Sequence, residues 1–296
     1  SDPNNDLTPA GAQKLFTWEH RLNGAIRKPD VNIDAGFGGP VPVLSSKFGN
    51  LRFFASTRHE NDMYLYEVSK PGLERRSYLV KLTADIKNNS KLVYSFLRGT
   101  MEGTTLSRGG GTSIMNDVWD LASQVNSSGF TMPWRLYTNE YWAPTKVDNT
   151  THAFKYTKQT KDDSFFEILV KLDSKKYYTD HGPVRDSLST FTVFGQGDNI
   201  WFADEAPIGF FGGPLFSVEG RLAFGGAIST SRDYSKVKTY TVKGDYVSQL
   251  NNYHQLKAGG EIVFSDLNLK FGSQNEFLPS GNYWSKSIVQ PYRLSL

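Results

Sequence analysis

Two stretches of the sequence combine aromatic side chains with carboxylates and amides. WRLYTNEYW covers Trp134–Trp142, and NIWFADEAPIGFFGG covers Asn199–Gly213. If they are exposed, such groups can stack on and hydrogen-bond a ligand such as a sugar or a peptide. The alternative is that the aromatic side chains pack against one another or lie in a membrane interface. The candidate ligand-binding residues are Trp134, Tyr137, Tyr141, Trp142, Trp201, Asp204 and Glu205.

Signals for catalysis and for metal binding are weak. The sequence contains no G-x-S-x-G, Walker or H-E-x-x-H motif, and its 5 histidines show no metal-ligand spacing. The absence of cysteine excludes disulfides, thiolate metal sites and a cysteine nucleophile. Asp204 and Glu205 are adjacent, so a strand would direct them to opposite faces. The sequence therefore predicts no catalytic residues, no metal, no cofactor and no enzyme activity.

Composition narrows the class of protein. The chain has 296 residues, and its 33 Lys and Arg against 30 Asp and Glu are interspersed, which gives no support for nucleic-acid binding. Hydrophobic residues make up 38%, and no run approaches the ~18 apolar residues of a membrane helix. Helical membrane proteins are thereby excluded. Membrane β-barrels are not, because their strands alternate and averaged hydropathy hides them.

Alternation of apolar and polar residues with a period of two dominates the chain. It is clearest over Tyr78–Ile86 and Phe165–Leu172 and predicts β-strands there. Some connections are short, namely KNNSK, TKDD and NNYH, whereas the predicted connections 99–149 and 173–219 are long; the first includes a possible helix over Ile114–Gln124. We predict an all-β, antiparallel up-and-down sheet of about eight or nine strands. Short turns at one end of the strands and long connections at the other are typical of an outer-membrane barrel. A soluble β-sandwich is the alternative.

The stretch VKGDYVSQLNNYHQLKAGGEIVF, Val242–Phe264, predicts one hairpin in detail. Its two apolar faces must coincide, and a three-residue turn with Leu250 opposite His254 meets this condition. This register places Lys243 opposite Glu261 and Tyr240 opposite Phe264. The predicted apolar face consists of Tyr240, Val242, Tyr246, Leu256, Ile262 and Phe264. The predicted polar face carries Lys243, Asp245, Lys257 and Glu261.

The medium that meets this apolar face is either lipid or a protein core. The face stops at an aromatic residue on both strands at the same height, and charged residues follow. Tyr240–Leu250 has the ~9–11 residues that a tilted strand needs to cross a bilayer. An aromatic edge followed by charge favours lipid outside and a wet lumen inside. A two-sheet core with a solvated outer face is the competing interpretation.

Several segments resemble TonB-dependent outer-membrane receptors, most of all the Bacteroidetes type with a carboxypeptidase-regulatory-like domain ahead of the plug. DVNIDAGFGGPVPVLSSKFGNLRFFASTRHENDMYLYEV is similar to their early barrel strands, and YLVKLTADIKNNSKLVYSFLRG to their next hairpin. NEYWAPT, DEAPIGF, STSRDYSKVKTYTVKGDYVSQLNNYHQLKAGGEIVF and LPSGNYWSKSIVQPYRLSL are similar to later segments in the same order. The resemblance extends from about Leu15 onward.

The resemblance implies a transport receptor in the outer membrane of a Gram-negative bacterium. It implies a barrel of 22 strands around a plug, which imports a nutrient such as a glycan, a peptide or a metal chelate. Residues 1–28 would follow the plug, and residues 29–296 would form part of the barrel, with extracellular loops at 99–149 and 173–219. The implied partners are the plug, the TonB energy-transducing complex, outer-membrane lipid and a surface lipoprotein. A soluble glycan-binding module and a carbohydrate-active enzyme remain the alternatives.

Overall fold

The structure is a computed structural model. It describes residues 24–86, 89–106, 112–126, 142–161, 163–180 and 231–273. It also describes short strand segments between residues 189 and 224 and between 284 and 295, by their backbone pairing. The N-terminal residues 1–23 lie outside the described part, so the predicted boundary at residue 28 stays a prediction.

One antiparallel sheet contains all the long strands. They are β1 (Val31–Pro40), β2 (Arg52–Met63), β3 (Gly72–Ile86), β4 (Ser90–Thr104), β5 (Pro144–Lys161), β6 (Ser164–Thr179), β13 (Lys236–Gln249) and β14 (Gln255–Ser273). β1 to β6 follow one another as a meander, β6 pairs with β13, and β13 pairs with β14. The prediction of an all-β, up-and-down antiparallel sheet is confirmed.

Short strands complete the described structure. β12 (Ser231–Asp233) bridges β6 and β14, while β15 (Trp284–Val289) and β16 (Tyr292–Ser295) pair with the outer edge of β14. Two small separate sheets contain β7 (Ser189–Thr192), β8 (Asn199–Phe202) and β9 (Phe210–Phe211), and β10 (Phe216–Val218) and β11 (Leu222–Phe224).

The predicted hairpin register is confirmed at every pair. Lys243 pairs with Glu261, Tyr246 with Ala258, and Tyr240 with Phe264. The Leu250 amide donates to the His254 carbonyl at 2.9 Å, and the Asn251 side chain accepts the backbone amides of Tyr253 and His254 at 2.9 Å each. This turn closes the hairpin because an Asn side chain replaces the missing backbone acceptors.

Turns and long connections lie at opposite ends of the sheet. The turn end carries the connections β3–β4, β5–β6 and β13–β14, and Asn89 in the first has the positive φ of 52° that Asn tolerates. The loop end carries the connections 105–143 and 180–230. The first is shorter than the predicted 99–149, because β4 continues to Thr104 and β5 begins at Pro144. The second begins and ends later than the predicted 173–219, because β6 continues to Thr179 and β12 begins at Ser231.

The buried core is small and lies at the loop end. Tyr64, Leu73, Met115, Leu121 and Trp142 are each at most 3% exposed. The helix α1 (Val118–Asn126) supplies Leu121 and begins after a capping aspartate whose carboxylate accepts two backbone amides. The predicted helix exists, but it begins and ends later than Ile114–Gln124. Over the described residues 28 large apolar side chains are exposed against seven buried apolar residues, so most of the sheet covers no core.

Candidate functional site

One face of the sheet carries an uncovered apolar band. All six side chains predicted for it are exposed, from 38% for Phe264 to 55% for Ile262. They lie on alternate positions of β13 and β14, in the register that pairs Tyr240 with Phe264 and Val242 with Ile262. The two aromatic rings at the edge contact each other, with centroids 6.0 Å apart.

The band continues across the neighbouring strands at the same height. Val242 pairs with Val170 of β6, and Val170 pairs with Phe154 of β5. Other exposed members on β3, β4 and β6 are Val80, Leu92 and Ile168. A face that is apolar over six strands is too extensive to be the chance exposure of single side chains.

The height of the band follows from strand geometry. Eleven residues from Tyr240 to Leu250 rise about 34 Å along the strand at ~3.4 Å each. Inclined by ~45°, as strands of membrane barrels are, this length covers roughly 24 Å, close to the ~25 Å apolar band of such barrels.

The opposite face carries many charged residues, and several of them are paired. Lys155 contacts Glu167 at 2.7 Å, Lys171 contacts Asp173 at 2.8 Å, and Arg52 contacts Asp85 at 2.7 Å. These pairs are partly exposed, so each contributes little to stability. They do indicate a hydrated surface, because charged side chains lie where water or other polar groups can solvate them.

The four residues predicted for the polar face come together in one open groove of about 650 Å³. Lys243 and Asp245 line it from β13, and Lys257 and Glu261 line it from β14. Lys243 contacts Asp245 along its own strand at 3.0 Å, rather than Glu261 across the pair. The groove therefore offers both signs of charge to a polar partner.

Charged residues follow the apolar band on its own face at the loop end. On β13, Lys238 and Lys236 lie beyond Tyr240 in the direction of the loop end. On β6, Lys176 lies four residues beyond Leu172, directly opposite Lys236. Further toward the loop end Lys146 contacts Glu102 at 2.6 Å, and its hydrogen bond lowers the pKa of the Glu102 carboxyl. The band therefore has a defined polar border, as expected where apolar surroundings give way to water.

The predicted ligand-binding residues lie almost entirely beyond the described part of the chain. Trp134, Tyr137, Tyr141, Asp204 and Glu205 fall outside the described residues. Trp201 lies in β8, where it pairs with Thr190. Trp142 is 0% exposed in the loop-end cluster, so it has no surface to offer a ligand and supports packing instead. The ligand-binding role of the other residues stays a prediction.

A largely buried polar cluster ties the end of β6 to β12 and to Tyr234, which follows β12. Arg232, whose side chain is 5% exposed, contacts Asp180 at 3.3 Å, and the Tyr234 hydroxyl donates to the same carboxylate. Burial, followed by this hydrogen bond, raises the pKa of Tyr234, and burial lowers the pKa of Arg232 against the opposing effect of Asp180. Sequence reasoning missed this cluster, because no local spacing links Asp180 to residues 52 or more positions away.

Two other features are absent from the described residues. None of the helices in this part of the chain is long and apolar enough to cross a membrane. No group of three His, Asp or Glu side chains in the same residues is arranged to hold a metal ion.

Comparison with known proteins yields few similarities. No protein-family model matches the chain, and no curated protein matches it. Among solved structures, the chain is similar to the closed form of the ferric-catecholate import receptor Fiu from E. coli K12. The TM-score is 0.36 and the sequence identity 10%, over 93% of this chain and 47% of that one. The chain thus spans about half the length of that receptor.

Proposed function

We propose that this chain forms part of the transmembrane barrel of an outer-membrane transport receptor of the TonB-dependent type. The observation that carries the proposal is the exposed apolar band, which crosses six strands and ends at the aromatic pair Tyr240 and Phe264. Leaving so many apolar side chains in water is unfavourable by about 25 cal/mol for each Å². Lipid removes that penalty, and the roughly 24 Å height of the band suits it.

The polar face supports an aqueous interior in which a plug sits. Its paired charges and the groove lined by Lys243, Asp245, Lys257 and Glu261 provide hydrogen-bonding partners for a polar plug surface. In this proposal the TonB energy-transducing complex acts through the plug, and the barrel residues hold the plug in place. The order of the segments that resemble TonB-dependent receptors supports the same assignment.

The long connections at the loop end would face the outside of a Gram-negative cell and bind the nutrient. Trp134, Tyr137, Tyr141, Trp201, Asp204 and Glu205 are the proposed contacts, because aromatic faces and carboxylates suit a glycan, a peptide or a metal chelate. A surface lipoprotein docked on these connections would enclose that ligand. Trp142 is left out because it is buried.

The test uses the absence of cysteine in this sequence. Ile168→Cys and Leu169→Cys are neighbours on β6 that face opposite sides of the sheet, and each is placed in the full-length protein folded into phosphatidylcholine vesicles. We expect a membrane-impermeant maleimide to label Leu169→Cys faster than Ile168→Cys, because water reaches the space between the barrel and the plug but does not reach the side that faces lipid. A bimane at Ile168→Cys should be quenched by brominated lipid, and one at Leu169→Cys should not.

Two outcomes would contradict the proposal. Equal labelling of both variants from water, without quenching by lipid, would mean that the apolar band is covered by protein or faces solvent. Folding of the protein without detergent or lipid would point to the same conclusion. Either result would favour a soluble all-β glycan-binding module or carbohydrate-active enzyme, and loop carboxylates would then be tested for turnover.

A further inference from the structure

A second groove lies on the face that carries the apolar band, at the border with the charged residues. It encloses about 470 Å³. Its side toward the turn end is formed by Phe96, Leu172 and Tyr240, and its side toward the loop end includes Arg98 and Lys238. One groove therefore offers apolar surface and cationic groups side by side.

The positive charge in and beside this groove is only partly compensated. Lys176 lies directly opposite Lys236 across the β6–β13 pair, and like charges in that position repel each other. Within the described part of the chain, no ion pair is formed by Lys176, Lys236 or Lys238. Such a cluster gains stability from an anion that lies between the lysines.

The nearby carboxylates are fewer than the cations. Asp148 contacts Arg98 at 3.3 Å and lies opposite Lys176, and Asp266 lies opposite Lys238. Arg98, Lys176, Lys236 and Lys238 thus face two carboxylates and keep a net positive charge. This differs from the polar face, where Lys155, Lys171 and Lys243 each contact a carboxylate.

The spacing of the cations indicates the number of anionic groups. Arg98 stands on β4, and Lys238 stands on β13, which is three strand positions away. At ~4.8 Å per strand the two backbones are about 14 Å apart. A headgroup with two phosphates matches a row of this length, because each phosphate can lie over the cations at one end, whereas a single phosphate would draw both long side chains inward. Arginine suits phosphate through its planar fork, and lysine suits it as a point charge.

We propose that this groove binds a diphosphorylated glycolipid of the surrounding leaflet. The inference rests on the proposed function, because it needs the apolar band to be in lipid. The phosphates contact Arg98 at one end and Lys176 and Lys238 at the other. The acyl chains lie over Phe96 and Leu172 and continue along the band. Basic pockets at a membrane border recognise phosphorylated lipid headgroups in this way.

The experiment measures lipid binding by the full-length protein in phosphatidylcholine nanodiscs, with diphosphoryl lipid A as the probe. The test variant is Lys176→Gln with Lys238→Gln. The matched control is Lys81→Gln with Lys175→Gln, which removes the same charge from the opposite face of the sheet. We expect the test variant to bind lipid A about 30-fold more weakly, or five- to six-fold for each lysine. The control should bind as the unmodified protein does.

Further measurements show whether the bound phosphate belongs to a lipid or is a free anion. They also show whether the lost binding is due to the lost charge or to misfolding of the variant. Lys176→Arg with Lys238→Arg should retain binding, since the charge is kept. Monophosphoryl lipid A should bind more weakly than the diphosphoryl form, and inorganic phosphate should not compete. Competition by inorganic phosphate as effective as that by lipid A would overturn the proposal in favour of a free-anion site. Equal loss in the control variant would also overturn it.

The outcome also distinguishes this inference from the proposed function. If the protein enters the nanodisc but binds lipid A no better than phosphatidylcholine, the glycolipid site is wrong and the receptor assignment stands. If the protein does not enter the nanodisc at all, both are wrong. Insertion is read independently, from the protection and lipid quenching of the Ile168→Cys variant.

Discussion

Replacing single residues of the apolar band by lysine should lower stability in lipid according to depth. Ile168 pairs with Gly244 near the middle of the Tyr240–Leu250 span, and Ile262 pairs with Val242 one row closer to the aromatic edge. A lysine at the midplane of a membrane barrel costs ~2–4 kcal/mol, and the cost falls to ~0–1 near the interfaces. We therefore expect a loss of about 2–4 kcal/mol for Ile168→Lys and about 1–2 for Ile262→Lys.

Ser265→Lys is the control on the same strand as Ile262. Ser265 faces the polar side, where its hydroxyl lies 3.4 Å from that of Thr239, and the paired row continues to Asp173. A lysine there meets a polar surface and a carboxylate, so the change should stay within about 0.5 kcal/mol.

The assay is reversible unfolding by urea in phosphatidylcholine vesicles, followed by tryptophan fluorescence and by the heat-dependent mobility of the folded band on a gel. We expect a ranked loss of stability, largest for Ile168→Lys, smaller for Ile262→Lys and smallest for Ser265→Lys. In water the ranking would vanish, because Ile168 and Ile262 are 43% and 55% exposed, and an exposed lysine is well solvated. Equal stability of all three variants in vesicles would refute the lipid-facing assignment.

Three further predictions concern the turn end and the loop end. Gly49→Ala should destabilise the fold by about 1–3 kcal/mol, because φ is +62° and a Cβ there would lie 2.2 Å from the Asp85 carbonyl oxygen; an unchanged urea midpoint would contradict this. Trp142→Ala should cost about 3–5 kcal/mol through the cavity left in the buried cluster and should speed amide exchange around it; exchange as slow as in the unmodified protein would mean that Trp142 is not a packing residue. Burial raises the pKa of Tyr64 from 10.0 to about 12, so the folded state keeps a proton that the unfolded state loses. The contribution of this proton to the free energy of unfolding is fully present below pH 10. It falls by about 2–3 kcal/mol as the pH rises toward 12. Urea unfolding across this range should show the loss, and Tyr64→Phe should abolish the part due to Tyr64.

Local pattern determined the strands and the pairing within hairpins. The register of β13 and β14 was predictable because alternation sets which positions share a face, and the Asn251 turn sets the offset. A shift by one residue would have turned every apolar side chain of one strand to the polar face. The six apolar-face residues and the four polar-face residues followed from the same two constraints.

Strand ends at the loop end were not predictable from the same pattern. β4 continues to Thr104 and β5 begins at Pro144, although Glu102 and Lys146 give no apolar alternation there. These residues are strand because their backbones pair with each other, beyond the apolar band. The alternation of apolar and polar residues depends on the medium around a strand, so it ends where the apolar band ends. The strand itself continues beyond that point.

The all-β class, the alternation of faces and the register of the β13–β14 hairpin follow from the sequence alone, because each depends on residues close together in the chain. Tertiary structure decided that Trp142 is buried with Tyr64 and Leu73, since only the folded sheet brings these segments together. It also decided that Lys176 lies opposite Lys236, because β6 pairs with β13 across a connection whose sequence does not specify the partner strand. The charged border of the band therefore emerges only when the strands are assembled, because its cations come from strands that are distant in the chain.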